Sequence, residues 1–412
     1  MAQPRTRTPA LYRPMDHLVV RAPLLPVDAY LALPAGDGRR GALAPELRRA
    51  LAVASPSLLA ALDRTGPGDP GWPRLEGKLL RYQIRMSTRP TPFGLFAGVG
   101  IARWADRTDL ALAGPPRTRT RLDMEWLLRL VLRLEADPEV RRHLRLVANT
   151  AAFERAGRLH LSEAAPTGST VAGGSVSVRA TGAVRQALAA ARSPVPYADL
   201  AAQLLVVVPG ATPERVDQLI AQLCEATLLL SDLRPPLTDP DPAGWVAGRL
   251  AASGGARARD EAERLVALAA DAAALDRAGP AEAAAGHARL SQRMGTGGAR
   301  SPLQVDARLD LRGAGLHPAV GAAAAEAAEL LLSMTPLPDG PPHLAAYRRA
   351  FLRRYGPDGV VPLLELLDPR FGLGPLGPPT GPARPAPAAR RNQLLLDLAC
   401  RALRERQPVL EL

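Results

Sequence analysis

Lysine is almost missing from this sequence: Lys78 is the single one among 52 basic residues, which face 40 acidic ones for a net charge of +12. The positive charge is therefore arginine, a planar and weakly hydrated fork of donors suited to phosphate oxygens and to stacking. A chain of this kind attracts RNA, although charge alone brings attraction and not specificity. Long apolar runs are absent too. No stretch approaches the roughly 18 consecutive apolar residues of a membrane span, and MAQPRTRTPALYRP at the start has no secretory core. The two cysteines, Cys224 and Cys400, stand alone in apolar helical patterns. They exclude a disulfide framework and read as core residues in a cytoplasmic protein. Six histidines lack metal-ligand spacing and read as surface or capping residues, so no metal is expected. Gly295-Thr-Gly-Gly298 is too short and wrongly flanked for a phosphate loop, and no Gly-x-Ser-x-Gly elbow is present.

What is present alternates between helical and strand periodicity, and the expected fold is α+β: mixed sheets with packed helices around an inserted winged-helix-like module. Residues Asp16–Pro26 read as a strand and turn, and Pro45–Leu62 as one or two helices. After a Gly/Pro loop over Gly66–Pro73, a helix starts near Leu75 and stops at Pro90, because proline drives Arg89 out of helical geometry. Phe93–Trp104 reads as a buried strand, and Asp123 caps a helix to Glu135. The middle block holds strands at Arg158–Leu161 and Ser175–Arg179. Helices follow at Ala183–Arg192, Tyr197–Leu205 and Thr212–Ala226, and a strand closes the block at Thr227–Ser231. Prolines 235, 236, 240 and 242 mark a boundary. Beyond it come two Ala-rich helices over Gly244–Ala278, a strand over Leu303–Leu311 and helices at Pro318–Met334 and Leu344–Tyr355. A Pro/Gly loop at Pro375–Pro387, a helix at Asn392–Arg406 and a strand start at Val409–Leu412 end the chain. Three parts are expected: 1–144, 145–235 and 236–412.

Chemistry concentrates on Lys78, Arg81, Arg85 and Arg89. Spaced three, four and four apart, they fall within roughly an 80° sector of one helix face. An arbitrary stripe of this kind is a solvated basic face. Here Arg85, Ser87, Arg89 and Thr91 run straight into Thr-Pro-Phe-Gly and then an apolar run, so the turn is packed and the arginines are buttressed. Fixed arginines with hydroxyls suit a phosphodiester or the charged end of an acyl donor.

The block Arg81-Tyr-Gln-Ile-Arg-Met-Ser-Thr-Arg-Pro-Thr-Pro-Phe-Gly-Leu-Phe-Ala-Gly-Val99 resembles the hallmark of the lantibiotic dehydratase N-terminal, or glutamylation, domain. Leu122–Leu127, Ser177–Thr181, Leu230–Leu237, Leu303–Asp306 and Val361–Asp368 resemble the same family, whereas Ala148-Asn-Thr150 departs from its usual Asn-Pro. The resemblance implies transfer of glutamate from glutamyl-tRNA, a co-substrate and not a cofactor, to Ser/Thr hydroxyls of a precursor peptide. An elimination domain then leaves dehydroalanine or dehydrobutyrine. By the same resemblance Arg85, Arg89, Thr91 and Asp123 are needed for glutamylation, and Lys78, Arg81, Arg85 and Arg89 would face the tRNA. Arg85 and Arg89 would hold its 3′ end or the developing oxyanion, Thr91 the turn, and Asp123 an arginine or a proton, if it does more than cap its helix. Block 145–235 would be the leader-peptide recognition element, taking the leader as an added strand. The chain reads as truncated, or as one part of a split enzyme working with a separate elimination-domain protein and a cyclase. A peptide aminoacyl-tRNA ligase, a non-catalytic leader-binding remnant and a general RNA- or DNA-binding protein are the alternatives.

Overall fold

The computed structural model describes residues 11–31, 44–66, 68–164, 174–295, 297, 299, 301–335, 340–377 and 386–407. They divide into two units, Met15–His317 and a second one from Pro318 onward that includes Leu11–Pro14. The first unit opens with β1 (His17–Pro23), α1 (Val27–Leu31), α2 (Pro45–Ala54), α3 (Pro56–Arg64) and α4 (Trp72–Thr88). Next come β2 (Ala97–Arg103), β3 (Asp109–Leu112), β4 (Arg117–Leu122), α5 (Met124–Ala136) and α6 (Pro138–Arg141). Helix α4 begins before the expected Leu75 because Pro73 sits in its first turn, where a missing N–H costs nothing. It ends as expected: Arg89 is extended, at φ −111° and ψ 112°. The apolar Phe93–Trp104 segment is a turn followed by a strand that starts only at Ala97.

The central block contains β5 (Arg145–Ala148), β6 (Phe153–Arg155), β7 (Arg158–Ala164), β8 (Gly174–Arg179), α7 (Gly182–Ala190), β9 (Val195–Pro196), α8 (Tyr197–Val207), α9 (Pro213–Glu225) and β10 (Leu229–Ser231). Thr181 caps α7 and Thr212 caps α9 through their hydroxyls, and Pro213 stands in the first turn of α9. Strands β6, β7 and β8 form one antiparallel sheet, and β5 pairs between β10 and β9 in another. Leu146, Leu161, Leu200, Ile220 and Leu229 belong to a core that this block keeps to itself.

Helices α10 (Pro242–Ser253), α11 (Ala256–Ala274) and α12 (Pro280–Met294) follow, then β11 (Leu303–Arg308) and β12 (Leu311–Gly315). Helix α12 and strands β3, β4, β5, β6 and β9 have too few residues or too little contrast to stand out in the sequence. Strand β11 enters the sheet of the chain's first part, giving the order β1-β2-β11-β4, parallel to β2 and antiparallel to β4. The segment at Leu309–Leu311 crosses β2 so closely that a Cβ on Gly98 would stand 2.6 Å from Leu309 Cδ2, and one on Gly100 2.5 Å from Leu311 Cδ1. Those contacts are why this strand is glycine-punctuated. Under the sheet lie Leu47, Leu51, Leu58, Met86, Phe96 and Val305. A larger core joins α5 to α10, α11 and α12 through Trp126, Leu127, Val131, Val246, Leu265 and Leu290.

A buried ion pair staples the central block to α5. Arg234 donates to Glu135 at 3.0 Å and 2.7 Å, and Ser231 donates to the same carboxylate through its amide (3.2 Å) and hydroxyl (2.7 Å). Asp232 receives Arg249 at 3.5 Å, and its carbonyl accepts the Trp245 indole N–H at 3.0 Å.

The second unit holds α13 (Pro318–Ser333), α14 (Pro342–Tyr355), α15 (Leu363–Leu367) and α16 (Ala386–Glu405). Among the described residues of these helices, Gly321 alone is buried. Order comes instead from polar ties: Asp368 is fully buried and paired with Arg370, and Arg354 donates to the carbonyls of Phe371 and Gly372. The strand start expected at Val409–Leu412, and most of the loop expected at Pro375–Pro387, lie outside the described residues. Two expectations are corrected. Cys400 is exposed, on a helix of which no described residue is buried, whereas Cys224 packs against the central core with its thiol pushed up to about 12 by burial. His160 and His287 are each only 4% exposed, buried on β7 and on α12 instead of at the surface.

Candidate functional site

Helix α4 is two-sided. Leu75, Leu79, Tyr82 and the buried Met86 pack on the core under the first sheet. Between α4 and α3, Lys78, Arg81, Arg85 and Arg89 line a cavity of about 750 Å³ together with Leu75, Tyr82 and Ile84 of the same helix and with Ser55, Ser57, Leu58 and Ala61 of α3 and its cap. The structure thus brings together all four cations of the sequence stripe. Among the described residues, no carboxylate lines this cavity and none of the four cations forms an ion pair. Ser87 does not join them. It is 3% exposed, and its hydroxyl donates to the Gln83 carbonyl one turn back at 2.9 Å. The Thr88 hydroxyl is spent the same way, on Ile84 at 2.7 Å.

The turn after α4 holds Arg85 in place. The Phe96 amide closes it on the Phe93 carbonyl at 3.1 Å, and Gly94 adopts φ +51°, a left-handed conformation that favours glycine. Phe93 is thereby turned back onto the helix, and the Arg85 guanidinium carbon lies 4.4 Å from its ring centre. Phe93 leans on Phe96 at 5.8 Å, and Phe96 on Tyr82 at 5.2 Å, so the arginine rests on an aromatic stack. Its Nε is buried without a hydrogen-bond partner, a donor left unsatisfied beside the cavity.

Thr91 and Asp123 lie outside the lining of this cavity. Thr91 is exposed in the bend that follows the helix. Asp123 is the N-cap of α5, its carboxylate accepting from the Glu125 amide at 2.8 Å and the Trp126 amide at 3.4 Å, while its own amide donates to Pro302. A second cavity, about 930 Å³, opens at the same Phe93 turn and runs over the sheet, lined by Pro92, Gly94, Val99, Arg117, Arg119 and Asp306 among others. The half-exposed Asp306 carboxylate receives Arg121 at 3.2 Å and Gln304 at 3.0 Å. Sequence reasoning did not single out Arg117, Arg119 or Asp306. The signal was the alternation Arg-Thr-Arg-Thr-Arg in β4, legible once its partner strand is known. Among the described residues no group of three or more His, Cys, Asp or Glu is placed to hold a metal ion, and no helix is long and apolar enough to cross a membrane.

Comparison with known proteins agrees with this architecture. The family model described as lantibiotic dehydratase, N terminus, matches residues 43–412. The chain belongs to the lantibiotic dehydratase family. The subtilin biosynthesis protein SpaB of Bacillus subtilis is 30% identical over 312 residues, covering 74% of this chain and 29% of that protein. The chain therefore spans less than a third of that relative. The nisin biosynthesis protein NisB of Lactococcus lactis is 36% identical over a shorter stretch of 64 residues, 16% of this chain and 6% of that protein. Among solved structures, the tRNA-dependent lantibiotic dehydratase MibB from Microbispora superposes with a TM-score of 0.73 at 34% identity, over 95% of this chain and 38% of that one. The TbtB glutamylation domain from thiomuracin biosynthesis shares the fold, with a TM-score of 0.53 at 24% identity over 89% of this chain and 47% of that one. The mixed α+β architecture of this chain is that of the family.

Proposed function

We propose that this dehydratase segment transfers glutamate from glutamyl-tRNA to Ser/Thr hydroxyls of a ribosomally made precursor peptide, the first half of dehydration in lanthipeptide- or thiopeptide-type biosynthesis. The observation that carries this reading is the carboxylate-free cavity lined by Lys78, Arg81, Arg85 and Arg89, with Arg85 set on Phe93 and holding an unspent donor. The peptide hydroxyl attacks the aminoacyl ester carbonyl, the new ester forms on the peptide, and the ribose hydroxyl of the tRNA leaves with the proton. Lys78 and Arg81 meet the polyanion, while Arg85 and Arg89 face the acceptor end and the oxygen that becomes negative in the tetrahedral intermediate. Thr91 braces the turn. Asp123, with its carboxylate engaged by two amides of α5, acts by fixing that helix and its neighbours and not as the acid or base. Glutamyl-tRNA is a co-substrate, and no cofactor is required by this chemistry.

The central block, with its separate core, serves as the leader-peptide recognition element; β6 and β8 are the edges of its sheet at which a leader strand adds. An elimination activity and a cyclase would complete the pathway.

The test is direct: incubation with precursor, glutamate-accepting tRNA, glutamate and its synthetase, read by mass for glutamyl adducts. Arg89→Lys keeps the charge but not the fork, and is expected to lose most adduct formation; near-normal glutamylation by that variant would sink the assignment. Tight precursor binding with no adduct from the unaltered chain would favour the second reading, a leader-binding subunit, which the self-contained central core supports.

A further inference from the structure

Strand β4 reads Arg117-Thr-Arg-Thr-Arg121, and alternation along a strand sends its threonines and arginines to opposite faces. The threonine face is held from within. The Asp276 carboxylate accepts from the hydroxyls of Thr118 (2.8 Å) and Thr120 (2.7 Å) and from the Thr120 amide (2.8 Å), and Arg49 donates to Thr118 at 3.1 Å. With that side anchored, Arg117, Arg119 and Arg121 face outward.

Register extends the pattern across the sheet. Arg117 pairs with Arg308, Arg308 with Val99, and Val99 with Arg21, so one row across four strands carries three arginines. On the same face, Arg119 with Asp306 and Arg121 with Gln304 follow on one side of this row; on the other side the exposed apolar pair Val19 with Ile101 comes first, and then Arg103 with His17. Six arginines thus share a face on which Asp306 is the one carboxylate among these paired positions. Asp306 is committed to Arg121, Arg119 donates to the Pro240 carbonyl, and Arg117 reaches Asp310 only at 3.9 Å with its side chain 67% exposed. Among the described residues Arg21, Arg103 and Arg308 form no ion pair. Like charges placed directly opposite on adjacent strands, as Arg117 and Arg308 are, destabilise a sheet. The arrangement is relieved by an anion with many regularly spaced charges. Arginines two apart on a strand repeat every ~6.8 Å, with ~4.8 Å between strands. That grid suits a chain of phosphodiesters. The cavity over this face ends at Phe93, which is 44% exposed and offers a base-sized aromatic surface.

We infer that the outer face of the β1-β2-β11-β4 sheet binds the RNA backbone of the acyl donor, with Phe93 as the platform for its terminal base. The inference rests on the reading that the donor is an aminoacyl-tRNA, and it adds a surface separate from the α4 cavity.

Binding of a labelled, uncharged glutamate-accepting tRNA transcript, measured by fluorescence anisotropy over a range of salt, tests it on the full chain. Loss of three contacts should lower the log–log salt slope by about 2, at ~0.7 per phosphate of a single strand. That change is expected for R117Q/R119Q/R308Q, while R117K/R119K/R308K keeps the slope. R264Q, at an arginine of α11 that pairs with Glu261 and is not on this face, leaves it unchanged, and precursor binding stays the same throughout. Phe93→Leu should weaken binding of an acceptor-stem hairpin more than that of the same hairpin lacking its terminal adenosine. A triple glutamine variant that binds tRNA with the original slope overturns the inference and leaves the donor reading standing. If it instead loses precursor peptide and keeps tRNA, the face belongs to an acidic peptide and the inference is wrong. If the unaltered chain binds no tRNA at any salt, the donor reading itself fails and this surface with it.

Discussion

Replacing Arg234 with alanine removes two charge-assisted hydrogen bonds, 3.0 Å and 2.7 Å long, from a glutamate that is 8% exposed. Hydrogen bonds to charged groups contribute about 1.5–3 kcal/mol each, and breaking one side of a buried pair costs about 3–5 kcal/mol because the other charge is stranded. The Arg234 side chain is 18% exposed, so water recovers little of this. We therefore expect a loss of about 3–4 kcal/mol, a large share of the roughly 5–15 kcal/mol that holds a typical domain together. Urea unfolding followed by tryptophan emission measures it, since Trp126 packs in the α5 core and Trp245 bonds to Asp232 beside the pair. Glu135→Gln combined with Arg234→Met keeps an oxygen for Ser231 and removes both charges, and should recover most of the stability. A shift below about 1 kcal/mol for Arg234→Ala, or a double variant no better than the single one, would refute the assignment of a buried staple.

Other outcomes are expected from the same structure. His287 has both ring nitrogens buried without partners, and burial, with the nearby Arg49 adding to it, pushes its pKa down to about 4. The unfolded chain binds that proton below about pH 6.5 and the fold does not, so stability falls as pH drops from about 6.5 to 4, by up to about 3 kcal/mol. A His287→Leu variant should show a flatter pH–stability curve, and an unchanged slope would count against the neutral buried imidazole. Gly94→Ala has room for its methyl, 3.6 Å from Val53, so only the positive φ opposes it. Its cost should be about 1–2 kcal/mol by denaturant midpoint, with glutamylation reduced further as the Phe93 support under Arg85 loosens. Leu331→Gln, on a side chain 70% exposed, should change stability by less than about 0.5 kcal/mol. A larger loss in thermal unfolding would mean that the residue is covered in solution.

Much of this molecule was legible before any coordinates, for identifiable reasons. Proline and capping residues act locally, so Pro90, Asp123, Thr181 and Thr212 mark helix ends where the structure has them. The arginine stripe was readable because α4 is regular and 3.6-residue periodicity needs no partner. The missing pieces depended on partners far along the chain. Strand β4 reads as a polar coil until β11, some two hundred residues later, pairs with it and Asp276 pins its threonines. Helix α12 went unseen because alanine is neutral in pattern, and His287 was assigned to the surface with it. Ser87 looked available beside two arginines, but one helical turn gives its hydroxyl a carbonyl instead. The motif Leu230–Leu237 was visible only as a likeness; its physical content is the Ser231 and Arg234 attachment to Glu135.

The scarcity of lysine has a practical side. Lys78, which lines the α4 cavity, carries the only side-chain amine in the chain. Amine-selective reagents, which in most proteins scatter over dozens of positions, have one side-chain target here, next to Arg81 and Arg85. A reporter group attached there would sit in the proposed donor site without mutagenesis. Shielding of that amine by a bound polyanion could then be followed peptide by peptide, against the α-amino group as the internal standard.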